Sequence, residues 1–97
     1  MPETRPSTVE GVRYIVTGRV QGVGYRAWTV RRASSHGIFG TVRNLPDGSV
    51  RIDAVGDAAA LETFRRELLS GPSRAHVTSV SPARIELPTT TEFTILY

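Results

Sequence analysis

Residues Val12 to Gly37 read V-R-Y-I-V-T-G-R-V-Q-G-V-G-Y-R-A-W-T-V-R-R-A-S-S-H-G, and the order of signals along them decides how the rest of the chain is read. The first six residues are β-rich, with Val12, Tyr14 and Val16 on one face and Arg13, Ile15 and Thr17 on the other. Three Gly in the next seven residues forbid a regular strand and allow a tight loop with positive φ angles. Beyond the loop Val23, Ala27, Val30 and Ser34 recur at three- and four-residue spacing, while Arg31, Arg32 and Ser35 point elsewhere. That spacing predicts an amphipathic helix, closed by Gly37 as its C-cap. The unit is therefore strand, glycine loop, helix.

Outward from this unit the chain alternates in the same way. Phe39 to Leu45 and Ser49 to Val55 have period-two patterning and are joined by P-D-G, which predicts a hairpin with Gly40, Val42 and Asn44 on one face of its first strand and Val50, Ile52 and Ala54 on one face of its second. Gly56-Asp57 announces a second helix, with Asp57 as N-cap, Leu61, Phe64 and Leu68 as the buried stripe and Gly71-Pro72 as the stop. His76 to Ile85 is a further strand weakened by Pro82, and Phe93, Ile95 and Tyr97 alternate in a terminal strand at an edge or closing the sheet. Residues 1–11, rich in Pro, Thr and charge, read as a flexible tail, and residues 12–97 as one domain. The order β-α-β-β-α-β, with a short extra strand, predicts the ferredoxin-like α+β sandwich: an antiparallel sheet with both helices on one face.

Composition narrows the function classes. At 97 residues with 39% hydrophobic and 22% charged residues, the chain makes one core and is not disordered. No apolar run reaches the roughly 18 residues of a membrane span, and the N-terminus has no signal-like stretch, so a cytoplasmic setting without membrane is expected. Cysteine is absent, which excludes disulfides and thiol catalysis. All twelve basic residues are Arg, so any anion held by a side-chain cation is held by guanidinium. The net charge of +3 is too small, and the Arg residues too scattered, to indicate nucleic acid.

Few side chains suggest acid, base or metal chemistry. His36 beside a helix end and His76 at a strand start are far apart and read as solvated residues; Asp53, Glu62 and Glu67 read as surface charge; Trp28 and Tyr14 as packing. The segment that stands apart is Gly18 to Arg26, G-R-V-Q-G-V-G-Y-R, which leaves a strand, turns on glycines and enters a helix with Arg in its first turn. Inward backbone N–H groups and the positive helix end favour an anion there, and Arg26 has the fork to clasp two phosphate oxygens. The spacing alone is equally compatible with a loop that merely turns the chain. Asn44, at the end of the first hairpin strand, by itself reads as a residue that caps the local turn.

The two segments together, about twenty residues apart, closely resemble the signatures of the acylphosphatase family: V-Q-G-V-G-Y-R for its phosphate loop, with Tyr25 where Phe is usual, and G-T-V-R-N-L-P-D-G-S-V for its second signature. The resemblance continues through G-D before the second helix, G-P after it, and F-T-I near the end, covering about Val12 to Tyr97. It implies metal-independent hydrolysis of acyl phosphates to a carboxylate and inorganic phosphate. It also implies that Gln21, Gly22, Val23, Gly24, Tyr25 and Arg26 bind the substrate phosphate, that Arg26 and Asn44 are catalytic, with Asn44 placing the water, and that no cofactor is needed. A monomer without nucleic-acid or membrane partners is expected. Two other readings remain at this level. RNA-recognition domains share the element order, but the third strand, S-V-R-I-D-A-V, carries no aromatic residue to stack a base. An acylphosphatase-like domain can also serve as a partner or regulatory module, which turnover would distinguish.

Overall fold

The computed structural model describes residues 8–97; the expected tail lies for residues 1–7 outside the described residues. The elements are β1 (Val9–Arg19), α1 (Tyr25–Ser35), β2 (Phe39–Asn44), β3 (Val50–Asp57), α2 (Ala58–Ser70), β4 (His76–Ile85) and β5 (Phe93–Leu96). Strand β1 starts at Val9, three residues before the expected boundary, because Val9, Glu10 and Gly11 continue the ladder opposite Asp57, Gly56 and Val55.

The strands form one sheet in the order β4-β1-β3-β2-β5. Strands β1 and β2 both run antiparallel to β3 between them, and β4 lies antiparallel on the outer side of β1. This is the split βαβ arrangement expected for a ferredoxin-like sandwich. The expectation of a wholly antiparallel sheet is corrected at one edge: β5 pairs parallel with β2, Gly40 opposite Phe93 and Arg43 opposite Leu96, so the sheet is mixed. Alternation in F-T-I-L-Y places side chains but carries no strand direction; direction follows from the chain's return past α2 and β4.

One sheet face is covered by both helices. Tyr14 and Val16 of β1, Val42 of β2, and Val50, Ile52 and Ala54 of β3 turn inward against Leu61, Phe64 and Leu68 of α2. Full burial of a side chain of Phe or Leu size contributes about 1.5–3 kcal/mol. Phe64 sits at the centre, edge-on to Tyr14 at 6.1 Å and to Phe93 at 6.3 Å between ring centres.

Helix α2 follows its sequence reading, with Asp57 accepting from the Ala59 N–H at 3.1 Å and Gly71 ending it. Helix α1 does not. Its buried residues are Tyr25, Thr29 and Ala33, whereas Ala27 and Ser34 are exposed and Val30 is half-buried. The apolar pattern counted from Val23 runs through the loop, so its phase is wrong for a helix that starts at Tyr25. Thr29 tolerates complete burial because its hydroxyl donates to the Tyr25 carbonyl at 2.8 Å. The helix closes with Gly37 N–H on the Ser34 carbonyl and Ile38 N–H on the Ala33 carbonyl.

Two groups of charges expected to be solvated are engaged. Glu67 of α2 accepts hydrogen bonds from Nε and Nη2 of Arg32 in α1, at 2.9 and 3.0 Å, and lies 3.0 Å from the His36 ring. Asp53 lies on the sheet face away from the helices and binds Arg13 at 2.8 Å and Arg51 at 2.9 Å. The Arg32–Glu67 and Arg13–Asp53 pairings cross between elements, which a linear sequence does not display, whereas Arg51 and Asp53 are neighbours on one face of β3. No helix of the described residues is long and apolar enough to cross a membrane.

Candidate active site

The site is built where three strands end. Because β1 and β2 point the same way and β5 runs parallel to β2, their C-terminal ends meet at one end of the sheet. Val16, Val50 and Asn44 lie in one row across the sheet, so Asn44 stands two strands from the point where β1 runs out into the glycine loop.

Gly22 and Gly24 take φ angles of 74° and 79°. A Cβ at either would meet nothing within 4 Å, so the left-handed backbone, and not crowding, calls for glycine there. Gly24 is the N-cap of α1 and brings no capping side chain. The first helical bond is Trp28 N–H to the Gly24 carbonyl at 3.0 Å, leaving the N–H groups of Tyr25, Arg26 and Ala27 without a partner among the described residues. In α2 the Asp57 side chain takes one such donor. Helix α1 presents all three outward, an arrangement that accepts an anion.

Tyr25 contributes only its backbone to that end. Its side chain is buried and its hydroxyl donates to the Leu68 carbonyl at 2.7 Å. The helical partner of that carbonyl would be residue 72, which is Pro and has no N–H, so Tyr25 satisfies an acceptor that the α2 stop leaves open. Burial pushes the phenol well above its ordinary range, which keeps it a neutral donor.

Arg26 points into the site with its guanidinium 5.0 Å from the centre of the Tyr97 ring, and none of the ion pairs among the described residues includes it. Asn44 Oδ1 is buried with no hydrogen-bond partner. The turn beyond it is held by other groups: Asp47 Oδ1 accepts from the Ser49 N–H at 2.9 Å, and Gly48 N–H donates to the Leu45 carbonyl at 3.1 Å. The reading of Asn44 as a local cap therefore fails. Gln21 sends its side chain away from the helix end, with Nε2 donating to the carbonyls of Leu45 and Ser49, each at 2.8 Å.

Val20, Gly22, Gly24, Tyr25, Arg26, Ala27, Asn44, Ile95 and Tyr97 enclose a cleft of about 190 Å³. The structure thus brings Gly22, Gly24, Tyr25, Arg26 and Asn44 to one cleft, with Gln21 bonded behind it and Val23 packed partly against the core. Ile95 and Tyr97 lie outside both motifs, and the parallel pairing of β5 with β2 brings them to the cleft. A larger open hollow of about 430 Å³ lies at the other end of α1 and β5, where Glu92 is its single ionisable lining group, and it has no convergent donors comparable to the loop. No Asp, Glu or His side chain is among those lining the smaller cleft, and among the described residues no three His, Cys, Asp or Glu side chains gather to hold a metal.

A family model described as acylphosphatase matches residues 12–95. The chain belongs to the acylphosphatase family. With membership comes the activity of a hydrolase acting on acid anhydrides, one that splits acyl phosphates. An acylphosphatase of Chlorobaculum tepidum is 44% identical over 90 residues, spanning 92% of this chain and 98% of the relative. One of Marinobacter nauticus is 46% identical over 87 residues, spanning 90% and 92%. The crystal structure of an acylphosphatase from Bacillus subtilis matches with a TM-score of 0.87 at 35% identity, covering 93% of this chain and 100% of that one.

Proposed function

We propose that this acylphosphatase reaction is carried in the present chain by Arg26 and Asn44 acting on a phosphoryl group held by the backbone of the loop from Gln21 to Arg26, without a metal. The observation that carries it is the buried, unpartnered Oδ1 of Asn44, in a cleft it shares with a cationic side chain and a helix end whose donors are free. Leaving a buried acceptor unmade costs about 1–3 kcal/mol. A water that donates to Oδ1 removes that cost and is thereby aimed at the phosphorus.

The chemistry needs little more. In R–CO–O–PO₃²⁻ plus water, the water oxygen bonds to phosphorus, the bond from phosphorus to the acyl oxygen breaks, and its electron pair leaves as R–COO⁻. One water proton passes to a phosphoryl oxygen, giving H₂PO₄⁻, or to solvent, giving HPO₄²⁻. A carboxylate leaving group has a pKa near 4 and requires no general acid. Charge stabilisation comes from Arg26 and the N–H groups, and rate from holding phosphoryl and water in line. A monomer in a cytoplasmic setting, independent of nucleic acid and membrane, is part of the same reading.

Asn44→Ala tests it. Turnover of benzoyl phosphate should fall about 10²- to 10³-fold in kcat with KM nearly unchanged. Stability in urea should hold to within about 0.5 kcal/mol, since no hydrogen bond from Asn44 Oδ1 to the rest of the protein is lost. Asn44→Asp should fold and be nearly inactive, because a carboxylate faces a dianion. An Ala variant that is kinetically normal, or activity abolished by EDTA and restored by Mg²⁺, overturns the mechanism.

A further inference from the structure

We propose that Gln21 is a positioning residue that sets the distance between the glycine loop and Asn44, and that its side chain does not bind the phosphoryl group. The proposal rests on the role given to Asn44 above. A primary amide has two N–H donors, and both are committed, to the Leu45 and Ser49 carbonyls at 2.8 Å each. What remains on the Gln21 side chain is a carbonyl oxygen, which repels phosphate.

The two acceptors are not arbitrary points on the hairpin. Leu45 follows Asn44 directly, and Ser49 precedes Val50, the residue paired with Asn44 across the ladder. One side chain therefore grips both strands where they flank Asn44. It is carried by the residue next to Gly22, at the start of the segment that presents free N–H groups. Among the described residues no other hydrogen bond joins this loop to the hairpin. The loop is attached elsewhere through Tyr25 to the end of α2, a tie that does not involve Asn44. Without Gln21 the phosphoryl group would still be bound by the loop and Arg26, while the water site would drift relative to it. A misplacement of about 1 Å costs about 10² in rate.

The experiment is a double-mutant cycle. Gln21→Met keeps length and volume and removes both donors; Gln21→Glu keeps length and puts oxygen against two carbonyls. Each is made in the natural chain and in Asn44→Ala. Benzoyl phosphate turnover, the inhibition constant of inorganic phosphate and the urea midpoint are then measured. Gln21→Met is expected to lower kcat about 10- to 100-fold and to change phosphate inhibition less than about 3-fold. In the Asn44→Ala background the same change should cost less than about 2-fold, because the group being positioned is gone. An equal loss of kcat in both backgrounds overturns the coupling to Asn44. So does a normal kcat for Gln21→Met, or weakened phosphate inhibition with kcat retained, which would make Gln21 a phosphate ligand. Gln21→Asn, whose amide is too short to reach both carbonyls, is read in the same way should the Met variant unfold. Asn44→Ala with normal kcat would instead remove the Asn44 reading itself, an outcome visible without any change at Gln21.

Discussion

The guanidinium of Arg26 lies over the Tyr97 ring, 5.0 Å from its centre, on a side chain that is itself 94% exposed. A cation over an exposed ring is worth about 0.5–1 kcal/mol, so Tyr97→Leu should lower kcat/KM of benzoyl phosphate about two- to fivefold. A fall of several hundredfold would give Tyr97 a part in the chemistry. Arg26 is the larger determinant: Arg26→Ala should cost about 10³ or more in kcat/KM, and Arg26→Lys should recover little, since a point charge does not reproduce the fork. Near-normal kinetics in the Ala variant would take Arg26 out of the site. Tyr25 shows the opposite pattern, a site-adjacent residue whose side chain works for the fold. Tyr25→Phe leaves the Leu68 carbonyl without a donor and should cost about 1–3 kcal/mol in urea unfolding while kcat per folded molecule stays within about twofold.

At the level of elements, the two helices begin in opposite ways. The start of α2 is closed by its own Asp57, so Asp57→Ala should lower stability by about 1 kcal/mol with kinetics unchanged. The start of α1, on Gly24, has no side-chain cap, and in the proposed mechanism its open donors hold the phosphoryl group. Helix α1 is held against α2 by Arg32 and His36 on Glu67. The Arg32 hydrogen bonds hold the Glu67 carboxyl below its usual range; burial opposes this and His36 adds to it. A carboxyl lowered on folding stabilises the protein above its unfolded value, about 4.3, and that contribution is lost as pH falls through the lower folded value. The Arg32–Glu67 side chains are 38% and 27% exposed, so solvent screens the pair and its contribution is small. Glu67→Gln should therefore trail the natural protein in urea midpoint at pH 6 and converge on it below about pH 4; a gap that widens toward acid would contradict the assignment.

For the whole molecule, the site depends on a core that keeps the ends of β1, β2 and β5 together. Phe64 is fully buried between Tyr14 and Phe93, tying α2 to the first and last strands. Phe64→Ala should cost about 3–5 kcal/mol, a large share of the 5–15 kcal/mol typical of a domain, and shift the urea midpoint without changing the slope. A cost below about 1 kcal/mol would mean that the core closes around the gap. The sequence alone determined what is local or periodic. The α2 stripe of Leu61, Phe64 and Leu68, its Asp57 cap, the P-D-G turn and the glycine loop before α1 were all legible because each depends on neighbours within a few positions. Gly22, Gly24, Arg26 and Asn44 stood out for the same reason, as members of two short motifs. Only the tertiary structure decided which way β5 runs, and so that Ile95 and Tyr97 join the cleft; that the face of α1 is set by Tyr25 and Thr29; and that Asn44 Oδ1 is free while Gln21 is bonded to the hairpin. Each of these depends on pairing, burial or hydrogen bonding within the folded chain, often between residues 20 to 60 positions apart, and periodicity carries no record of which distant group a side chain will meet.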